Sequence, residues 1–252
     1  MVTLPSIEPG RPDRPCGIIG GGRLARHLTH YFRESGIAVR AWTRSDEGEV
    51  AAALGPAPVV LVLIADDAIE PFITAHPELS DRVLVHCSGS LVTEKAIGMH
   101  PLMTFGPELY GLAVYWAVPF VCDEGGPGFR QLFPTLPNPT FWLDPASKSL
   151  YHALTDLAGN LTPLLWEKLF LVFEERLGLP RDAATLYLKR VVDVCEGPSP
   201  FPRTGPIARG DRRTVRRNLE ALGDDPIRAV YEGFAKAVAP ELLDERRREG
   251  GR

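Results

Sequence analysis

The chain has no apolar run approaching the ~18 residues that a bilayer-spanning helix requires, so no membrane span is expected. Its four cysteines, Cys16, Cys87, Cys122 and Cys195, are scattered and form no C-x-x-C pair. That spacing supports neither a zinc site nor a disulfide framework, and it predicts reduced, mostly buried thiols and no bound metal. Neither sign of charge dominates. A formal net charge of −4 gives no global reason to bind nucleic acid or an anionic membrane. Met1 to Arg14 are rich in proline and charge and lack the apolar core of a signal peptide, so a frayed tail on a cytoplasmic protein is expected. There is no internal repeat.

What is present suits a soluble globular protein: 252 residues, 44% apolar and 24% charged, enough for one large domain or two small ones. The chain is organised around Cys16 to Ala25. A short apolar run ends in Gly20, Gly21 and Gly22, and Leu24, Leu28, Tyr31 and Phe32 then follow at helical spacing. Gly20-x-Gly22-x-x-Ala25 fits the dinucleotide fingerprint with alanine in its last place. Gly20 permits the tight turn, Gly22 lets backbone approach a pyrophosphate, and Ala25 lets helix and strand pack closely. Arg23 and Leu24 open the helix, whose first N–H groups and positive dipole end suit phosphate. An ordinary strand-to-helix turn is the competing reading; the strands that follow favour the cofactor.

Ala38 to Trp42 reads as the second strand, and it runs into Thr43-Arg44-Ser45 with no acid before Asp46. An acid there would grip a ribose 2′-hydroxyl, whereas a guanidinium beside hydroxyls suits a 2′-phosphate. Arg44 and Ser45 therefore favour NADP over NAD, against the alternative that Arg44 is a solvated loop charge. Pro58 to Ile64 and Arg82 to Cys87 read as buried parallel strands, and a fifth leads to His100-Pro101. Asp66-Asp67 is expected to cap a helix between them that holds Ile69, Phe72 and Ile73. Ligands of such sheets lie at the carboxyl ends of the strands, which brings Ala65, Asp66 and Ser88 to the cofactor edge. Ala117 to Cys122 and Thr140 to Leu143 look like two further strands.

From Pro145 the pattern is helical. Ala146, Leu150, Ala153, Leu154, Leu157 and Leu161 make an apolar stripe, opposite Lys148, His152, Thr155, Asp156 and Gly159, with Asn160 on the flank. Leu164 to Leu177, Arg181 to Cys195, Asp211 to Leu222 and Pro226 to Val238 continue the helices, before a charged end to Arg252. The expected class is α/β: a Rossmann-type doubly wound, mostly parallel sheet over 15–144, after a tail 1–14, followed by an all-α domain over 145–252.

Four polar clusters could carry chemistry. His86-Cys87-Ser88-Gly89 ends a strand, and Ser88 could hold a substrate carboxylate or the nicotinamide amide, or simply cap a turn. His100-Pro101 offers a proton donor near neutral pH, or a satisfied turn histidine. Lys148, His152, Asp156 and Asn160 stack along one helix face and suit acid–base work, although a solvated face has the same pattern. In Thr204 to Asp211, Arg209 could clamp a carboxylate and Asp211 could cap the next helix. Arg203, Arg209, Arg212, Arg213, Arg216 and Arg217 make the surroundings locally basic. The embedded Arg-Gly-Asp is discounted as an adhesion motif.

In Gly-Ile-Ile-Gly-Gly-Gly-Arg-Leu-Ala (17–25), Ala-Asp-Asp-Ala-Ile (65–69), His-Cys-Ser-Gly (86–89), His-Pro-Leu-Met-Thr-Phe (100–105), Lys-Ser-Leu-Tyr-His-Ala (148–153) with Asn160, and Thr-Gly-Pro-Ile-Ala-Arg-Gly-Asp (204–211), the chain resembles a largely uncharacterised Rossmann-like family. That family has a helical C-terminal domain of unknown function and is similar to pyrroline-5-carboxylate, ketopantoate and 6-phosphogluconate-type dehydrogenases. The resemblance implies an NADP-dependent oxidoreductase acting on a small anionic keto or imine substrate, with NAD the alternative cofactor. It implies a homodimer formed through the helical domain, and a cleft lined by Ser88, His100, His152, Asn160, Arg209 and Asp211. His152, His100 and Lys148 are the candidate catalytic groups. A prephenate or arogenate dehydrogenase-like enzyme and a non-catalytic NADP-binding sensor or scaffold are the alternatives. Two features depart from the family's pattern: the chain is short, with helices trimmed at the end, and Gly159 stands where Ala or Ser is expected. Lys148 precedes Asn160 by twelve residues, whereas the catalytic lysine of the hydroxyacid enzymes has a spacing of four.

Overall fold

The computed structural model describes residues 14–198, 200 and 204–244. Most of the expected tail, Arg203 and the charged end beyond Asp244 lie outside them. Seven strands form one sheet: β1 (Cys16–Ile19), β2 (Val39–Trp42), β3 (Val59–Val62), β4 (Val83–His86), β5 (Ile97–Pro101), β6 (Phe120–Asp123) and β7 (Thr140–Leu143). Their order is β2-β1-β3-β4-β5-β6-β7. Every neighbouring pair is parallel except β5–β6, where Met99 faces Cys122 and Pro101 faces Phe120. The expected doubly wound, mostly parallel sheet with a helical C-terminal part is what the chain forms.

The apolar runs of β1, β3 and β4 are buried on both faces because helices cover both sides. Ile18, Leu61 and Val85 pack with Leu28, Tyr31 and Phe32 of α1 (Arg23–Glu34). Ile19, Val60, Val62 and Leu84 pack on the other face with Leu54 of α2 (Val50–Leu54) and Ile69 of α3 (Asp66–Ala75). Successive residues of each strand thus feed two separate cores, as the two-residue period requires. Two short helices, α4 (Leu112–Ala117) and α5 (Phe129–Leu132), add Tyr115 and Phe129 to the α1 side. The sequence reading missed α2 and α4. It also started the sixth strand three residues early, where α4 ends and Pro119 intervenes.

Helix α6 (Lys148–Thr155) runs without a break through a π-helical turn, Asp156–Leu161, into α7 (Thr162–Val172), and the widened turn stands directly before Pro163, which has no N–H to donate. Two compact units result, residues 1–168 and residues 169–252. The helix expected to open the second domain near residue 145 packs with the sheet. Within the second unit, α8 (Thr185–Glu196), α9 (Gly205–Ala208), α10 (Arg212–Leu222) and α11 (Ile227–Val238) follow in order. Val215, Leu219, Ala239 and Leu242 form a small core there. Among the described residues no helix is long and apolar enough to cross a membrane, and no cluster of ligands suits a metal ion.

Candidate functional site

The site begins at the turn after β1. Gly20 has φ +121°, and a Cβ on it would strike the backbone carbonyl of Leu63, just past β3. Only glycine lets these two strand ends approach so closely. Gly22 occupies the N-cap position of α1 with no side-chain cap, and nothing lies within 4 Å of the place its Cβ would take. The first N–H groups of α1 therefore open onto free space, as phosphate binding requires. A cleft of about 970 Å³ starts here, at the switch where the chain leaves β1 for β2 on one side and β3 on the other.

The expected cofactor residues Gly20, Gly22, Arg23, Leu24, Arg44, Ser45, Ala65, Asp66 and Ser88 all line this cleft. So do three aromatic residues that the sequence reading did not assign: Trp42, Phe72 and His76. The Phe72 and His76 rings lie 4.3 Å apart and Trp42 stands 5.8 Å from Phe72, an apolar wall of the kind a purine base stacks on. The turn after β2 is held by Asp46, whose carboxylate accepts from the Thr43 N–H at 2.7 Å and the Thr43 hydroxyl at 3.0 Å. This first acid after the strand is folded back on its own turn. Open helix N–H groups, glycines, an arginine and hydroxyls fit a dinucleotide, and the donor set fits one with an extra phosphate.

At its other end the cleft meets the carboxyl end of β4. The Ser88 hydroxyl donates to Asp66 Oδ2 at 2.5 Å and accepts from the N–H groups of Ser90 and Leu91. It staples a turn, and no helix follows it. The next residue is Gly89. A Cβ there would stand 2.7 Å from His152 Nδ1 and 3.3 Å from His100 Nε2, so the absence of a side chain lets both rings close on the strand end. The ring centroids of His100 and His152 are 6.2 Å apart. Two residues separated by half a hundred positions thus face one point beside Ser88.

The face of α6 expected to carry chemistry is turned inward. Lys148 is 3% exposed, and its Nζ pairs with Asp123 Oδ1 of β6 at 2.7 Å, while the other Asp123 oxygen accepts from the Gly98 N–H. Lys148 is therefore a buried half of an ion pair that ties α6 to the sheet. Tyr151, missed in the sequence, places its hydroxyl 2.7 Å from His100 Nδ1. It falls three residues after Lys148, on the same face, and that spacing was the available signal. Among the described residues the buried His152 Nδ1 has no hydrogen-bond partner. Asn160 donates to Asp156 at 2.7 Å across the π-helical turn. Arg209 and Asp211 belong to the second unit, where Asp211 caps α10 through the Thr214 N–H and hydroxyl; those bonds hold its carboxyl below the usual range.

The charge state of the histidine end follows from burial. His86 is fully buried and its Nδ1 accepts from the Ser88 N–H, so its hydrogen sits on Nε2, which has no partner among the described residues. Burial first, and then the Lys148 ammonium, push His86 down to about 4 against the opposing pull of Asp123 and Asp66. Burial, His152 and Lys148 push His100 down to about 4 as well. Both rings are neutral at physiological pH. His27 supplies the contrast: also buried, it meets Tyr115 at one nitrogen and the Gly106 carbonyl at the other, and has nothing left to offer. Cys16, Cys87 and Cys122 are buried free thiols pushed up by desolvation, and Cys195 is exposed.

Residues 122–238 match the family model described as a domain of unknown function, DUF2520. The chain is also similar to solved structures. A Bacteroides fragilis protein described as an NADP oxidoreductase is 20% identical, over 90% of this chain and 98% of that one, with a TM-score of 0.68. Plasmodium falciparum pyrroline carboxylate reductase, solved with NADP bound, is 11% identical over 92% and 98%, with a TM-score of 0.57. A Streptomyces aurantiacus imine reductase is 17% identical over 91% and 93%, with a TM-score of 0.58. No curated protein matches the chain. The shared fold and the matched domain bear out the resemblance to a Rossmann-like family with a helical C-terminal domain of unknown function.

Proposed function

We propose that this protein is an NADP-dependent oxidoreductase passing a hydride between nicotinamide and a small keto or imine compound. One observation carries the reading: a single cleft joins the glycine turn and Arg44 at one end to Ser88 at the other, where His100 and His152 converge beside it. The fold shared with nicotinamide-dependent reductases supports it. When bound, the nicotinamide supplies the hydride chemistry. The protein's part is to hold the pyrophosphate at the start of α1, to place the dihydropyridine ring near Ser88, and to exchange one proton through His100 or His152. Lys148 acts beneath them, fixing α6 and adding to the burial that keeps His86 neutral.

The anionic character of the substrate rests on Arg209 as carboxylate anchor, a reading drawn from the sequence. The homodimer has support of its own. Leu150, Leu154 and Leu157, more than half exposed in the single chain, run along α6 and its π-helical turn opposite the buried polar face. We take this stripe as the surface that a second copy covers.

The test is direct. Purified protein should quench NADPH fluorescence on binding and turn over at least one member of a panel of 2-keto acids and cyclic imines. His152→Ala should abolish turnover while NADPH affinity persists. Tight NADPH binding with no turnover across the panel would favour a sensor, and no binding would remove both readings. A monomeric mass for the same sample would exclude the dimer.

A further inference from the structure

We propose that Tyr151 is a positioning residue of this site: its phenol holds His100 as the tautomer with hydrogen on Nε2, and so turns a neutral donor toward the space beside Gly89. The Tyr151 hydroxyl lies 2.7 Å from His100 Nδ1, with the rings edge to face at 82°. A phenol is the more acidic partner and an imidazole nitrogen the better acceptor, so the O–H donates. Nδ1 is then occupied and the ring hydrogen sits on Nε2.

The molecule contains its own control for this arrangement. His27 meets Tyr115 at Nδ1, also at 2.7 Å, and there Nε2 faces the Gly106 carbonyl, which can only accept. That carbonyl fixes His27 as the Nε2–H tautomer with Tyr115 donating. His100 repeats the tyrosine half of the pair and leaves out the carbonyl half: among the described residues no hydrogen-bond partner meets its Nε2. The donor satisfied in His27 is left for a ligand in His100. No hydrogen bond joins His100 to His152 either, so the unpartnered His152 Nδ1 faces the same opening.

The groups around His100 favour a neutral ring. Tyr151, His152 and Lys148 face it from α6 and Asp66 from α3, with Asp123 neutralising Lys148 from β6. Burial above all, with the Lys148 ammonium nearby, outweighs the opposing pull of Asp66. A neutral N–H recognises a lone pair, so the reacting group suited to this point is a carbonyl oxygen or an unprotonated imine nitrogen. A protonated iminium has no such lone pair. The role of this donor in turnover rests on the oxidoreductase reading. A bound reduced nicotinamide would supply the hydride; the residues would supply the proton, the substrate heteroatom taking it from Nε2, Nδ1 taking the phenol proton and the tyrosinate regaining one from water.

Nitrogen-15 NMR of the histidine side chains tests the tautomer on the full chain with no cofactor added. At neutral pH the His100 signals, assigned by their loss in His100→Asn, should show a protonated Nε2 and a hydrogen-bonded, unprotonated Nδ1. Tyr151→Phe should mix the tautomers and shift Nδ1. In turnover, Tyr151→Phe should lower kcat by about a hundredfold, the low end of the range for acid–base groups, with NADPH affinity unchanged. A wild-type His100 protonated on Nδ1, or a spectrum that Tyr151→Phe leaves unaltered, overturns the proposal. If the variant fails to fold, the wild-type spectrum still decides. Absence of turnover in the wild type counts against the oxidoreductase reading alone.

Discussion

The two ends of the cleft are built in opposite ways. The phosphate end is local: the glycine turn and Arg44 lie within thirty residues, joined by one helix and one strand. Its polar groups are open, with uncapped N–H groups at α1 and a guanidinium that forms no ion pair among the described residues. The histidine end is assembled from β4, β5, β6 and α6; its His86, Ser88 and Lys148 are buried, and His100, Tyr151, His152 and Asp123 are half-buried. One end binds by leaving charge and donors exposed. The other tunes its rings by removing water, so its properties depend on packing as much as on residue identity.

That dependence makes the histidine end the easier to break. Asp123→Ala leaves the Lys148 ammonium buried without a partner and removes the acceptor of the Gly98 N–H. The expected loss of stability is about 3–5 kcal/mol, the usual cost of stranding half of a buried pair. Adding Lys148→Met should recover most of it, since the cost lies in the leftover charge. Thermal unfolding of the two variants checks this. If Asp123→Ala alone costs less than about 1 kcal/mol, as an exposed pair would, the ion pair does not anchor α6.

Acid should act on the same end next. His86 and His100 are held near 4 in the folded chain, below the ordinary histidine value of 6.5. The unfolded chain therefore binds protons that the folded chain refuses as the pH falls below about 6.5. Their contribution is fully present above that value and is lost toward about pH 4. At pH 5 the loss is roughly 2 kcal/mol for His86 and somewhat less for His100, which is less deeply buried. Urea unfolding at pH 7.5 and 5 measures the sum, and His86→Gln should remove the His86 part. A stability that does not fall between these two values would mean that the rings titrate normally.

The same contrast explains what could be read in advance. The parallel strands were legible because short apolar runs rich in valine, such as Val59–Val62, have few other uses, and the glycine turn was legible because its parts adjoin. The inward orientation of α6 was not. Its polar face carries Lys148 and His152 and its other face carries leucines, and standard amphipathic reasoning makes the leucines the buried side. The reversal depends on Asp123, an acid on a distant strand that neutralises Lys148. This pairing also keeps the helix with the sheet, so the first compact unit extends past residue 144 to residue 168. Tyr151 escaped notice because its partner His100 is fifty-one positions away.

The smallest expected effect concerns the open end and sharpens what it selects. Asp46 is the first acid after β2, the place where an NAD-type site would use a carboxylate on the ribose. Here both Asp46 contacts go to Thr43, and the Thr43 and Ser45 hydroxyls lie 2.9 Å apart. A carboxylate committed to its own turn is not free to grip a diol, and Arg44 lines the cleft beside it. Arg44→Ala should weaken NADPH binding by about tenfold, or roughly 1.4 kcal/mol, and leave NADH binding nearly unchanged. Fluorescence titrations with the two cofactors compare them directly. Equal losses would make Arg44 a general phosphate contact, and no loss would make it a solvated loop charge. In the latter case the preference would have to come from Ser45 and Thr43, and Asp46→Ala, by loosening that turn, should then affect NADPH more than Arg44→Ala does.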